Sequence, residues 1–111
     1  METTDSKVVK LTTENFDEQV LRSEQPVLVD FYADWCGPCQ ALGPVVDQLA
    51  ADYEGRARIG KLDVDASGEV AQRYGVQSIP TLLFVKNGEV VDQVVGAMPG
   101  SKLAEKLDSM L

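Results

Sequence analysis

Apolar positions along this chain change period several times, and each change marks a boundary between elements. Val8, Val9 and Leu11 suggest a short first strand. Thr13 then reads as a helix N-cap, with Phe16, Val20 and Leu21 on one helical face and Pro26 ending the segment. The run from Pro26 to Tyr32 is rich in β-branched and aromatic residues and does not alternate. That is the pattern of a central strand buried on both faces. From Cys36 to about Tyr53 the spacing becomes helical, through Cys39, Leu42, Val45, Val46, Leu49, Ala50 and Tyr53. Pro44 falls inside this helix, where it removes a hydrogen bond and predicts a kink, and Gly55 supplies a stop.

Ile59, Leu62 and Val64 mark a third strand over Arg58–Val64. Asp65, Ser67 and Gly68 open a short helix through Val70, Ala71 and Tyr74, closed by Gly75. Thr81 to Val85 reads as a strand, Asn87-Gly88 as a tight hairpin turn, and Val90 to Val95 as the returning strand. Leu103, Leu107 and Leu111 form the stripe of a last helix that starts near Pro99, Gly100 and Ser101. The order β-α-β-α-β-α-β-β-α predicts an α/β fold. Its early βαβ units favour parallel pairing and its final hairpin adds antiparallel strands, giving a mixed, mostly five-stranded sheet with helices on both faces. With no repeat, low-complexity tract or long linker, one domain over residues 1–111 is expected.

Composition narrows the chemistry. The 44% apolar and 25% charged residues are ordinary for a globular protein, and no apolar run reaches the roughly 18 residues of a membrane span. The first residues, Met-Glu-Thr-Thr-Asp-Ser-Lys, lack the basic and apolar regions of a secretory signal. A cytoplasmic protein is expected, or an organellar one if a presequence has been removed. A net charge of −8 argues against nucleic-acid binding, which needs clustered Lys and Arg. The scattered acids favour a solvated surface over an acidic docking patch. There is no histidine, so Cys-His and Ser-His nucleophile pairs and His metal ligands are excluded.

Trp35-Cys36-Gly37-Pro38-Cys39 lies where the buried strand gives way to the long helix. Two intervening residues let the sulfurs meet across one helical turn. The helix N-terminus carries partial positive charge and free N–H groups that favour a thiolate. Cys36 sits at that end, with Cys39 one turn in and expected to be the more buried. Cys36 is therefore the expected nucleophile and Cys39 the residue that resolves a mixed disulfide. Three blander readings compete: a structural disulfide, a zinc site, and unrelated buried cysteines. The first would close a very small loop for little chain-entropy gain, and the second lacks four ligands.

Asp30 interrupts an apolar strand, where a charge is costly unless neutralised or paired. Six residues before Cys36, it can lie beneath the start of the helix, with a raised pKa and a proton to exchange with Cys39. The alternative is an Asp at a sheet edge facing water. Lys61, on the next strand, is a possible partner, although a surface lysine is the default. The Ile79–Pro80 bond is expected to be trans from its local sequence.

Together these residues resemble the thioredoxin family, over roughly Lys7 to Leu111. Trp35 to Cys39 matches its active-site motif, Val29-Asp30-Phe31-Tyr32-Ala33 its central strand and Pro44 its kink proline. Ile79-Pro80-Thr81 matches its cis-proline segment, Lys86-Asn87-Gly88-Glu89 its last hairpin and Val95-Gly96-Ala97 its closing substrate loop. A lowered thiol pKa is already established for that family. The resemblance implies a disulfide reductase in which Cys36 attacks, Cys39 releases product, Asp30 accepts a proton and Lys61 tunes it. It implies a cis Pro80 against the sulfurs, and an apolar docking surface of Trp35, Gly37, Pro38, Val64, Ile79, Gly96 and Ala97. The Ile79 backbone would pair with an extended substrate segment. It also implies a monomer with no bound cofactor, reduced by NADPH through thioredoxin reductase and acting on disulfide-containing proteins. Three positions depart from the common pattern: Tyr32 where many members have Trp, Gln40 where Lys or Arg is frequent, and Ser78 where some have Gly.

Two other functions remain open. An oxidase or isomerase is disfavoured by Gly37-Pro38, since isomerase-like relatives often carry His in the second place. A binding or assembly module independent of redox turnover is the third reading.

Overall fold

The computed structural model describes residues 7–111, and the N-terminal segment read above for a leader lies outside the described residues. Five strands, β1 (Val9–Leu11), β2 (Val27–Tyr32), β3 (Arg58–Asp63), β4 (Thr81–Lys86) and β5 (Glu89–Val95), form one sheet in the order β1-β3-β2-β4-β5. β3 runs parallel to both β1 and β2, whereas β4 runs antiparallel to β2 and to β5. This is the expected mixed α/β sheet. Asn87 and Gly88 close the β4–β5 hairpin with φ of 54° and 80°, the two positive values that a type I′ turn needs.

Among the described residues, three α-helices flank this sheet: α1 (Gly37–Asp52), α2 (Gly68–Arg73) and α3 (Gly100–Asp108). Side chains of β2 alternate between two cores. Leu28 packs with Leu42, Val46 and Leu49 of α1 and Leu103 and Leu107 of α3. Val27, Val29 and Phe31 pack with Phe16, Val20, Val70 and Ala71 on the opposite face. Both faces of β2 are therefore covered, which explains why its apolar run does not alternate.

Local details correct the sequence reading in three places. The segment after Thr13 is a short π-helical turn over Asp17–Leu21 that begins at Phe16 without a side-chain cap. Thr13 does not cap it: the turn starts three residues later, at Phe16, and the Thr13 N–H donates to Ser67 Oγ (3.2 Å). The local turn is closed instead by Thr12 and Asn15, each side chain accepting from the other's backbone N–H. β3 stops at Asp63, one residue short of the expected end. α3 stops at Asp108, so the helical stripe fails at its last position: Met110 is buried and Leu111 is 53% exposed.

Candidate active site

The site is built where β2 ends and α1 begins. Cys36 is the N-cap of α1, with extended backbone (φ −93°, ψ 109°), and Pro38 occupies the first turn, where a missing N–H costs nothing. Cys36 and Cys39 are joined as a disulfide with Cα atoms 5.2 Å apart. The Cys39 N–H donates to Cys36 Sγ (3.2 Å), so one of the free donors of the helix start points at that sulfur. The expected difference in burial is absent: each cysteine is 5% exposed. Both cysteines cluster with buried Ala33, and Tyr32, Val64 and Ile79 pack against that cluster.

The remaining elements converge on this point. Ile79–Pro80 is a cis peptide, against the trans expectation from local sequence and as the resemblance implies. Local preference carries no information about the tertiary contacts of this loop. The Ile79 carbonyl oxygen lies 3.9 Å from Cys36 Sγ, and the Pro80 carbonyl accepts the Gly96 N–H (2.8 Å). Gly96 has φ of 97°, a left-handed value that favours glycine, and it carries exposed Ala97 after it. Trp35 is 70% exposed and its indole N–H donates to Asp65 Oδ2 (2.9 Å). Asp65 was not foreseen as part of this surface, since nothing local distinguishes it from other loop acids. Gln40, read above only as a lost positive charge, donates to the Asp34 carbonyl (2.6 Å) and ties the motif to its own first turn.

Asp30 lies on the α1 face of β2, the face of Leu28, and is fully buried. The edge alternative is thereby excluded, because β2 lies between β3 and β4. Neither carboxyl oxygen has a hydrogen-bond partner among the described residues. Burial raises its pKa from 3.8 to about 6, and the Lys61 charge partly offsets that rise. Lys61 is the register partner of Asp30 on β3 and is half-buried rather than free on the surface. A cavity of about 320 Å³, lined by Tyr32, Ala33, Asp34, Cys39, Gln40, Gly43 and Lys61, reaches in from solvent beside the second sulfur. Among the described residues, no group of three or more His, Cys, Asp or Glu side chains is placed to hold a metal ion. No helix among them is long and apolar enough to cross a membrane.

A reversible cysteine pair at a helix start, beside a buried carboxyl and a cis-proline loop, is an arrangement for thiol–disulfide exchange. The thioredoxin family model matches residues 7–109. The chain belongs to the thioredoxin family. It is 54% identical over 102 residues to a thioredoxin of Chlorobaculum thiosulfatiphilum, covering 92% of this chain and 94% of that one. It is 46% identical over 106 residues to Thioredoxin 1 of a Nostoc species, covering 96% and 99% of the two chains. A chloroplastic M-type thioredoxin of Pisum sativum is also 46% identical, over 96% of this chain and 62% of its own length. The chain is a thiol–disulfide oxidoreductase with general disulfide reductase activity, and its redox centre is the Cys36–Cys39 pair.

Proposed function

We propose that residues 1–111 act as a single, monomeric thioredoxin domain in which Cys36 attacks and Cys39 resolves. The Cys36 thiolate attacks one sulfur of a substrate disulfide. That bond breaks, a mixed disulfide forms, and the first substrate thiolate leaves. Cys39 then yields its proton towards Asp30, and its thiolate attacks the Cys36 sulfur. The Cys36–Cys39 bond forms, the second substrate thiolate leaves, and two electrons have passed to the substrate.

The observation that carries this order is the position of Cys36 as N-cap, with the Cys39 N–H 3.2 Å from its sulfur. A donor held there in the oxidised state also suits the Cys36 thiolate, which the helix start favours. Exposure does not separate the two cysteines, and the polarity of the helix start is what supports Cys36 as the attacker. A carboxyl with a pKa near 6 is a competent acceptor at neutral pH. Asp30 has no hydrogen-bond partner among the described residues and does not line the cavity beside Cys39, so the proton passes by way of water, for which that cavity has room and polar lining. Lys61 tunes this acceptor.

Trp35, Gly37, Pro38, Val64, Ile79, Pro80, Gly96 and Ala97 form the docking surface, and the Ile79 backbone pairs with an extended substrate segment. Electrons come from NADPH through thioredoxin reductase. The relatives are bacterial, cyanobacterial and chloroplastic, which supports a cytoplasmic or stromal setting. The test is the midpoint potential of the couple in graded dithiol/disulfide buffers, with NADPH-linked turnover alongside. A midpoint more reducing than glutathione, with turnover, is expected. A midpoint near the oxidising isomerases would move the protein to disulfide formation, and no reversible couple would leave only a binding module.

A further inference from the structure

Tyr32 and Lys61 meet beside the reaction centre in a way that the exchange steps above do not use. Tyr32 ends β2 two residues after Asp30, so strand alternation places both on the α1 face. It packs against the cluster of Ala33, Cys36 and Cys39, and with Lys61 and Cys39 it lines the cavity described above. The Lys61 ammonium stands 4.7 Å from the centre of the Tyr32 ring. Among the described residues, Lys61 forms no ion pair with Asp30, and both carboxyl oxygens lack a hydrogen-bond partner. The cation therefore acts on Asp30 across space, from a seat that the aromatic ring provides.

We infer that Tyr32 is a positioning residue for the exchange reaction: its ring face holds the Lys61 ammonium beside Asp30 and so tunes the proton acceptor through a cation that the carboxyl does not bind. The inference rests on Asp30 as the acceptor of the Cys39 proton. A long lysine stem loses rotamer freedom when its head is fixed, and a partly desolvated cation–π contact offsets that loss. Without the ring, the ammonium is free to swing into water, where its field at Asp30 is screened. The phenol is not itself a competing charge. Burial and the nearby Asp63, Asp34 and Asp30 raise its pKa above 10.0, so it stays neutral where the thiols react. The ionisable groups around the pair are thus Asp30 on β2, Lys61 and Asp63 on β3, Asp34 before α1, and Cys39 on α1. Asp34 and Asp63 repel a phenolate and do not replace the ring as a seat for the cation.

The test follows the pH dependence of protein-disulfide reduction by the pre-reduced full chain. Asp30→Asn establishes which inflection belongs to the acceptor. Lys61→Met removes the cation and moves that inflection to higher pH, because an unassisted carboxyl ionises later. Tyr32→Leu is expected to give most of the Lys61→Met shift, Tyr32→Phe to keep the wild-type inflection, and Tyr32→Leu to add nothing in the Lys61→Met background. The inference is overturned if Tyr32→Leu leaves an Asp30-dependent inflection in place, or shifts it equally without Lys61. If Asp30→Asn removes no inflection, the acceptor reading falls, and this inference with it.

Discussion

The two faces of β2 do different work. Towards α2 and the π-helical turn it presents Val27, Val29 and Phe31, all fully buried and all hydrocarbon. Towards α1 and α3 it presents Leu28, Asp30 and Tyr32, of which only the first is core in the ordinary sense. One strand thus carries stability on one face and a buried carboxyl on the other, separated by nothing more than the alternation of its side chains. A group that costs stability is tolerated where the opposite face is packed without compromise. Asp30 is that group, buried with no hydrogen-bond partner among the described residues.

Four substitutions probe the two faces separately. The largest effect is on chemistry: Cys36→Ser is expected to reduce disulfide reduction to background, while the reduced protein keeps its stability to within ~1 kcal/mol, read by denaturant unfolding. Phe31→Ala, on the apolar face, should cost about 3–5 kcal/mol and leave the pH dependence of the surviving activity unmoved. A shift in that dependence would show that the two faces are coupled.

Asp30→Ala should do the opposite and stabilise the protein at neutral pH. Because burial raises the Asp30 pKa from 3.8 to about 6, the folded chain holds this proton more tightly than the unfolded chain. That stability is fully present below the unfolded value of 3.8 and is lost as pH rises through about 6. The ionised carboxylate therefore costs up to roughly 3 kcal/mol at neutral pH, less the cavity left by the substitution. Thermal unfolding across pH checks the sign: a gain at neutral pH that fades in acid, accompanied by slower resolution of mixed disulfides. The smallest effect on stability belongs to Trp35→Ala. This exposed side chain should change stability by no more than about 0.5 kcal/mol while weakening reduction of protein substrates more than that of small disulfides.

Much of this contrast was legible in the residues. The non-alternating run of β2 announced a strand covered on both faces, and the single aspartate that interrupts it was conspicuous for that reason. Cys36 and Cys39 were placed by the change of period from strand to helix. What the pattern could not carry was tertiary. Thr13 looked like a cap because capping is a local rule, yet the turn begins only at Phe16, and the Thr13 backbone is held by Ser67, 54 residues away in the chain. Leu111 fitted the stripe of α3, but the helix ends before reaching it, and Met110 takes the buried place. The two cysteines are equally buried in a cluster against which Val64 and Ile79 pack, residues distant in the chain. The Trp35–Asp65 bond joins positions with no shared sequence signal. The seat of Lys61 on Tyr32 needed both strand register and side-chain direction, neither of which a departure from the usual Trp reveals.

The most direct test of the account is to trap the intermediate. The Cys39→Ser and Cys36→Ser variants, each pre-reduced, are mixed with a disulfide-containing protein, and the covalent adducts are mapped by mass spectrometry. The account predicts a stable mixed disulfide through Cys36 in Cys39→Ser and almost none in Cys36→Ser. Adducts formed mainly through Cys39, or none in either variant, would contradict it.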